Sequence, residues 1–165
     1  MSVKLNGALE DRGAWRVENC SIAMTMDIIG TRSSMLILRE ALYGTTRFDD
    51  FVRRTRGTDA IVSARLKHLT EIGLFEKRPY QEEGKRKRYE YVLTPKGADL
   101  MPAVFALMQW GDRHLQPDDG GPLRLVKRGT DIPVVIGPHA RSEAQLEIDD
   151  LEIAANGNWI EQGHA

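Results

Sequence analysis

The sequence predicts an α+β fold, mainly helical, on three observations. From Cys20 to Gly73 apolar residues recur at helical spacing in successive runs. From Leu74 to Thr94 the period changes to two. Beyond Pro117, short β-branched runs sit between Gly and Pro residues. Hydrophobic content of 41% and charged content of 28% exclude a disordered or fibrous chain and suit a globular one.

The elements follow in order. "CSIAMTMDIIG" sets Ile22, Met26 and Ile29 on one face of a short helix that Gly30 ends. "TRSSMLILREALYG" carries four consecutive apolar residues, Met35 to Leu38, which predict a helix buried on most sides and stopped at Gly44. "TRFDDFVRRT" places Phe48, Phe51 and Val52 at helical spacing, with Thr46 as the expected N-cap. A loop at "RGTD" leads into "AIVSARLKHLTEIG", where Thr58 caps the helix, Val62, Leu66 and Leu69 form the inner stripe, and Gly73 closes it. "LFEKRPY" and "KRYEYVLT" predict two strands joined through "QEEGKR", with Gly84 in the turn and Tyr89, Tyr91 and Leu93 alternating with Glu90 and Val92.

"TPKG" opens the next helix, with Thr94 as N-cap and Pro95 in the first position. One helix is expected from there to about Leu115, bearing Leu100, Met101, Val104, Phe105 and Met108, with Pro102 inside it costing a hydrogen bond or adding a bend. Past "LQPDDGGP", "LRLVKR" and "IPVVIG" predict a hairpin across "GTD", and "AQLEIDDLEIAANG" a third strand-like run. The organisation expected is an arm at 1–18, a main domain at 19–116 and a small β-rich extension at 117–165.

Charge is unevenly placed. The net charge is −1, yet Thr31 to Lys96 holds 15 basic against nine acidic side chains. Such asymmetry suits either an anionic partner for the middle of the chain or ordinary solvated surface charge. The single cysteine, Cys20, excludes an intrachain disulfide and a Cys-pair zinc site. The four histidines are far apart, with no i, i+4 pair to hold a metal. No apolar stretch has the length of a membrane span or signal peptide, which makes cytoplasm the expected location. No nucleophile elbow, phosphate loop or His–carboxylate set is present, and the adjacent Asp149 and Asp150 would diverge on a strand, so neither an enzyme nor a cofactor is expected.

Two helices joined by a tight connection, then a basic two-stranded hairpin, make a winged helix-turn-helix. The helix from Phe48 to Thr55 would cross a DNA backbone with Arg53 and Arg54 near phosphates. The next helix, from Asp59 to Ile72, would enter the major groove, with Thr58 at its start and Ala60, Ser63, Ala64 and Lys67 facing base edges opposite the buried stripe. Arg65 and His68 lie on the flank, suited equally to phosphate contact or an internal ion pair. Lys85, Arg86, Lys87 and Arg88 fall in the hairpin turn beside the groove. The same basic turn could serve only for solubility, or dock an acidic protein in a winged-helix interaction module.

In order and spacing, "LILRE", "RFDDFVRR", "SARLKHLTEIGLFEKRPY", "LTPKG" and "WGDRH" resemble the HxlR-type branch of MarR-like regulators, over about Glu18 to Leu115. The resemblance implies a homodimeric transcriptional regulator of double-stranded operator DNA, most often a repressor. Its dimer would be built from the first helix and the long helix after the wing. Arg32 and Ser33 stand where the family usually has Lys-Trp, and Ala64 where Gln is common. In some relatives cysteines suggest a zinc-ribbon-like hairpin in the tail; here Thr130 fills one such slot, so no metal is expected.

Cys20 precedes the first helix, where a helix N-terminus favours thiolate. Many family members have a cysteine near this point and some respond to oxidants or electrophiles, which makes Cys20 a redox-sensing candidate. A small apolar residue packed at the dimer base is the alternative. Ile22, Met26, Ser33, Leu36, Phe105 and Met108 are the candidates for a small-molecule effector pocket, though such residues are also ordinary core or interface.

Overall fold

The computed structural model describes residues 3–11, 13, 20–118, 120–139 and 152–153. They fall into two units, Ile28–Val135 and a second made from Met1–Asp27 with Ile136–Ala165.

In the second unit, strand β1 (Lys4–Leu5) pairs in parallel with β4 (Glu152–Ile153), so the strand-like run near the C-terminus finds its partner at the opposite end of the chain. The rest of that run, 144–151 and 154–157, lies outside the described residues. Helix α1 (Ser21–Ile29) begins in this unit and buries only Ile29. The apolar Ile22, Met24 and Met26 stay exposed, Ile22 at 73%.

The larger unit is a winged helix-turn-helix. Its helices are α2 (Arg32–Leu42), α3 (Phe48–Thr55) and α4 (Asp59–Glu71), followed by strands β2 (Phe75–Tyr80) and β3 (Arg88–Leu93). Thr31 caps α2 by accepting from the Ser34 backbone N–H at 3.1 Å. Ile37 and Leu38 are fully buried, while Met35 and Leu36 are partly covered. At the far end Gly44, at φ +92°, turns the chain as only glycine does readily. Glu40 is buried there, its carboxylate accepting from Arg39 Nη2 at 2.7 Å and from Thr45 Oγ1 at 3.3 Å.

The N-cap of α3 is Arg47, whose side chain makes no cap hydrogen bond, not the expected Thr46. The reason lies in the sheet. Thr46 accepts from the Tyr91 N–H at 2.7 Å and Arg47 forms an antiparallel bridge with Glu90, so this segment is held extended against β3. Three residues, Arg56 to Thr58, join α3 to α4, with Arg56 left-handed at φ 53°. The core unites Ile29, Ile37, Leu38, Phe51, Val62, Leu66, Leu69 and Phe75, with the Phe51 and Phe75 rings edge to face at 6.2 Å.

Strands β2 and β3 are antiparallel in unbroken register from Phe75↔Leu93 to Tyr80↔Arg88. Thr94 then caps α5 (Pro95–Ala98), accepting from the Gly97 N–H at 3.1 Å. Gly97 is required: a Cβ there would lie 2.2 Å from the Leu74 carbonyl oxygen.

The expected single helix to Leu115 is instead two, α5 and α6 (Met101–His114), broken at Asp99 and Leu100. Pro102 has no N–H to donate to residue 98, so it occupies the first turn of a new helix rather than bending an old one. The hairpin across "GTD" is present in reduced form. One bridge, Val126↔Pro133, is flanked by Lys127 N–H to Ile132 O at 2.9 Å and Val134 N–H to Leu125 O at 2.9 Å. Pro133 cannot donate and limits any longer ladder. Among the described residues no helix is long and apolar enough to cross a membrane.

Candidate nucleic-acid interface

The inner stripe of α4 fixes what its outer face presents. Val62, Leu66 and Leu69 are buried to within 1% of their surface. At 100° per residue, their opposite side carries Ala60, Ser63, Ala64 and Lys67, all of them exposed. Thr58 caps the helix through the Ile61 N–H at 3.4 Å, so its hydroxyl is engaged with the helix itself. Lys67 Nζ lies 3.8 Å from Glu71 Oε1, a loose solvent-exposed pair. Arg65 and His68 are half-buried, and neither forms an ion pair among the described residues, which leaves both available for outward contact. Sequence reasoning misses Ile61, which is 48% exposed beside Ala60 and Ala64. The available signal is its position one residue before the buried Val62, off the inner stripe.

On α3, Arg53 pairs with Asp50 one turn earlier. Arg54 is exposed and makes no ion pair among the described residues.

The wing divides its charge between two roles. In its turn Glu82 accepts from Arg47 Nη1 at 2.6 Å and from Lys85 Nζ at 2.7 Å. The Lys85 hydrogen bond, then that of Arg47, holds the Glu82 carboxyl below the ordinary carboxylate range, and Glu82 in turn raises Arg47. Arg47 also lies over the Tyr80 ring, 4.6 Å from its centre. Arg88 is 3.5 Å from Asp49 of α3, and Lys77 lies over Tyr91 at 5.3 Å. Arg86 and Lys87 are exposed at the tip with no carboxylate partner among the described residues. Of the four basic turn residues, two are therefore compensated and two are not.

The pocket candidates separate. Leu36 and Met108 line a groove of about 630 Å³ in the larger unit, together with Met35, Tyr43, Arg54 and Leu107. Phe105 is buried instead, stacked on Tyr43 with ring centres 6.4 Å apart. Ser33 is half-buried and not in the lining. Ile22 and Met26 belong to the other unit and are exposed. Cys20 is half-buried, its carbonyl accepting from the Met24 N–H at 3.0 Å.

Known proteins resemble this chain in sequence and fold. A profile described as HxlR-like helix-turn-helix matches residues 28–119. Rv3095 of Mycobacterium tuberculosis, an uncharacterized HTH-type transcriptional regulator, is 40% identical over 110 residues, covering 67% of this chain and 68% of its own. The crystal structure of PA1607, proposed to be a transcription factor, superposes with a TM-score of 0.74 at 33% identity, over 85% of this chain and 97% of that one. The reduced form of the redox regulator HypR gives 0.52 at 25% identity, over 58% and 96%. From the matched residues, the outward face of α4 and the basic hairpin, the chain belongs to the HxlR-like helix-turn-helix family of transcriptional regulators.

Proposed function

We propose that the protein is a homodimeric repressor that binds a partly palindromic DNA site and leaves it on a small-molecule or redox signal. The observation that carries the DNA reading is the exposed outward face of α4 together with a basic wing whose Arg86 and Lys87 have no internal counter-charge among the described residues. Small side chains at Ala60, Ser63 and Ala64 permit close approach to base edges, and Ser63 and Lys67 can hydrogen-bond to them. Arg53, Arg54, Arg65, His68 and the wing residues Lys85 to Arg88 supply the phosphate contacts that set register.

Two exposed apolar faces support self-association. One is on α1, with Ile22 and Met26; the other is on α6, with Leu107 at 58% and Trp110 at 56% exposure. A twofold assembly would set two α4 helices about 34–36 Å apart, one duplex turn. Repression then follows from occupying promoter DNA. For the signal, the groove holding Leu36 and Met108 supports a small apolar effector, and Cys20 a redox input of the kind HypR is named for.

The test is recovery of genomic fragments by the purified protein, followed by footprinting and sedimentation with and without DNA. One protected site with twofold symmetry, bound by two chains, is expected. No preference over random duplex at moderate salt would refute the reading and turn attention to an acidic protein partner.

A further inference from the structure

The outward face of α4 is poor in hydrogen-bonding groups. Among Ala60, Ile61, Ser63, Ala64 and Lys67, only Ser63 and Lys67 have polar side chains, and Lys67 is already near Glu71 at 3.8 Å. The other three form an apolar patch, with Ala60 and Ile61 one turn before Ala64 on the same side. Ile61 is its largest member and 48% exposed. A β-branched residue gains nothing in helix propensity at an exposed position, so neither local structure nor the core accounts for it.

Cations border this patch on the same helix, Arg65 four residues after Ile61 and Lys67 three after Ala64. What meets an apolar surface framed by positive charge must itself be apolar at its centre and anionic around it. A duplex major groove containing thymine has that character, because each thymine projects its C5-methyl group between two phosphate strands.

Resting on the DNA reading above, we infer that Ile61, with Ala60 and Ala64, selects sites by packing against thymine C5-methyl groups. Ile61 is thus a specificity-determining residue, and the sites selected carry thymine opposite the first turn of α4. Of these outward positions only Lys67 can read guanine, and none carries the amide that reads adenine.

The experiment begins from the site that wild-type protein selects out of random duplexes. Each thymine in it is replaced singly by deoxyuridine, which keeps base pairing and removes only the methyl group. Wild type is expected to lose about four-fold in affinity at one or two thymines per half-site, the worth of one buried methyl. Ile61→Ala should bind the thymine site several-fold more weakly and lose nothing further at those uridines. Because Ile61 is half exposed, that variant should retain the wild-type melting temperature. Equal wild-type affinity for thymine and uridine sites, with specific binding intact, overturns the inference while the DNA reading stands. An Ile61→Ala variant that keeps the full uridine penalty overturns it equally. Failure to select any site overturns the DNA reading itself, and this inference with it.

Discussion

Arg86 and Lys87 are the cations whose loss should be felt most by any duplex. Lys85 is held 2.7 Å from Glu82 and Arg88 lies 3.5 Å from Asp49, whereas the two tip residues meet no carboxylate among the described residues. Unpaired, each can neutralise one phosphate and release its counterion. Changing both to Gln removes two contacts, and the slope of log affinity against log salt should flatten by about 1.8. If the non-electrostatic part is unchanged at 1 M salt, this corresponds to about a 30-fold weaker complex near 0.15 M. Lys85→Gln should flatten the slope by less than about 0.9, because Glu82 already meets much of its charge. Fluorescence anisotropy across about 50–300 mM KCl, over which the Debye length shrinks roughly 2.4-fold, measures both quantities on a random duplex. A double variant that binds with the wild-type slope would show that the wing tip does not track phosphates.

Other outcomes follow from packing and titration. Gly97→Ala would force a Cβ to 2.2 Å from the Leu74 carbonyl oxygen and 2.8 Å from Leu93 Cδ2, so urea unfolding should show a loss of about 1–3 kcal/mol or more; wild-type stability would contradict the junction described here. Partial burial chiefly raises the Tyr43 hydroxyl above its ordinary 10.0, with Glu40 and Asp112 adding and Arg39 opposing. Its neutral form is thus favoured by folding, and stability should be intact below pH 10.0 and fall as pH rises through the folded value. Tyr43→Phe should lose that alkaline component, which thermal melts at pH 9 and about pH 11 would reveal as a smaller difference than wild type shows. If Cys20 carries the redox signal, peroxide should release DNA from wild type and leave Cys20→Ser bound; equal release from both would exclude it.

Patterns local to a few turns were legible in the sequence. The Val62, Leu66 and Leu69 stripe and the Thr58 and Thr94 caps depend on spacing within one segment, and they appear where the spacing puts them. Period-two alternation likewise predicts the wing, whose register closes at Phe75↔Leu93. Pro102 suggests a bend in one helix, yet a missing N–H matters least at a helix start, and the chain breaks there instead. Thr46 has the chemistry of a cap but is bonded to Tyr91, 45 residues distant by number.

The sequence by itself therefore determined the segments from α1 to the wing, the family they compose and the excess of cations on the middle of the chain. Which cations remain uncompensated was decided only in three dimensions. Arg47 meets Glu82 across 35 residues and Arg88 meets Asp49 on another element, pairings that no local spacing encodes. The same holds for Ile61. Its exposure depends on which side of α4 the core claims, and packing of α2, α3 and β2 against that helix settles the matter. Periodicity is a property of one segment, whereas charge compensation and exposure belong to pairs of segments brought together by folding.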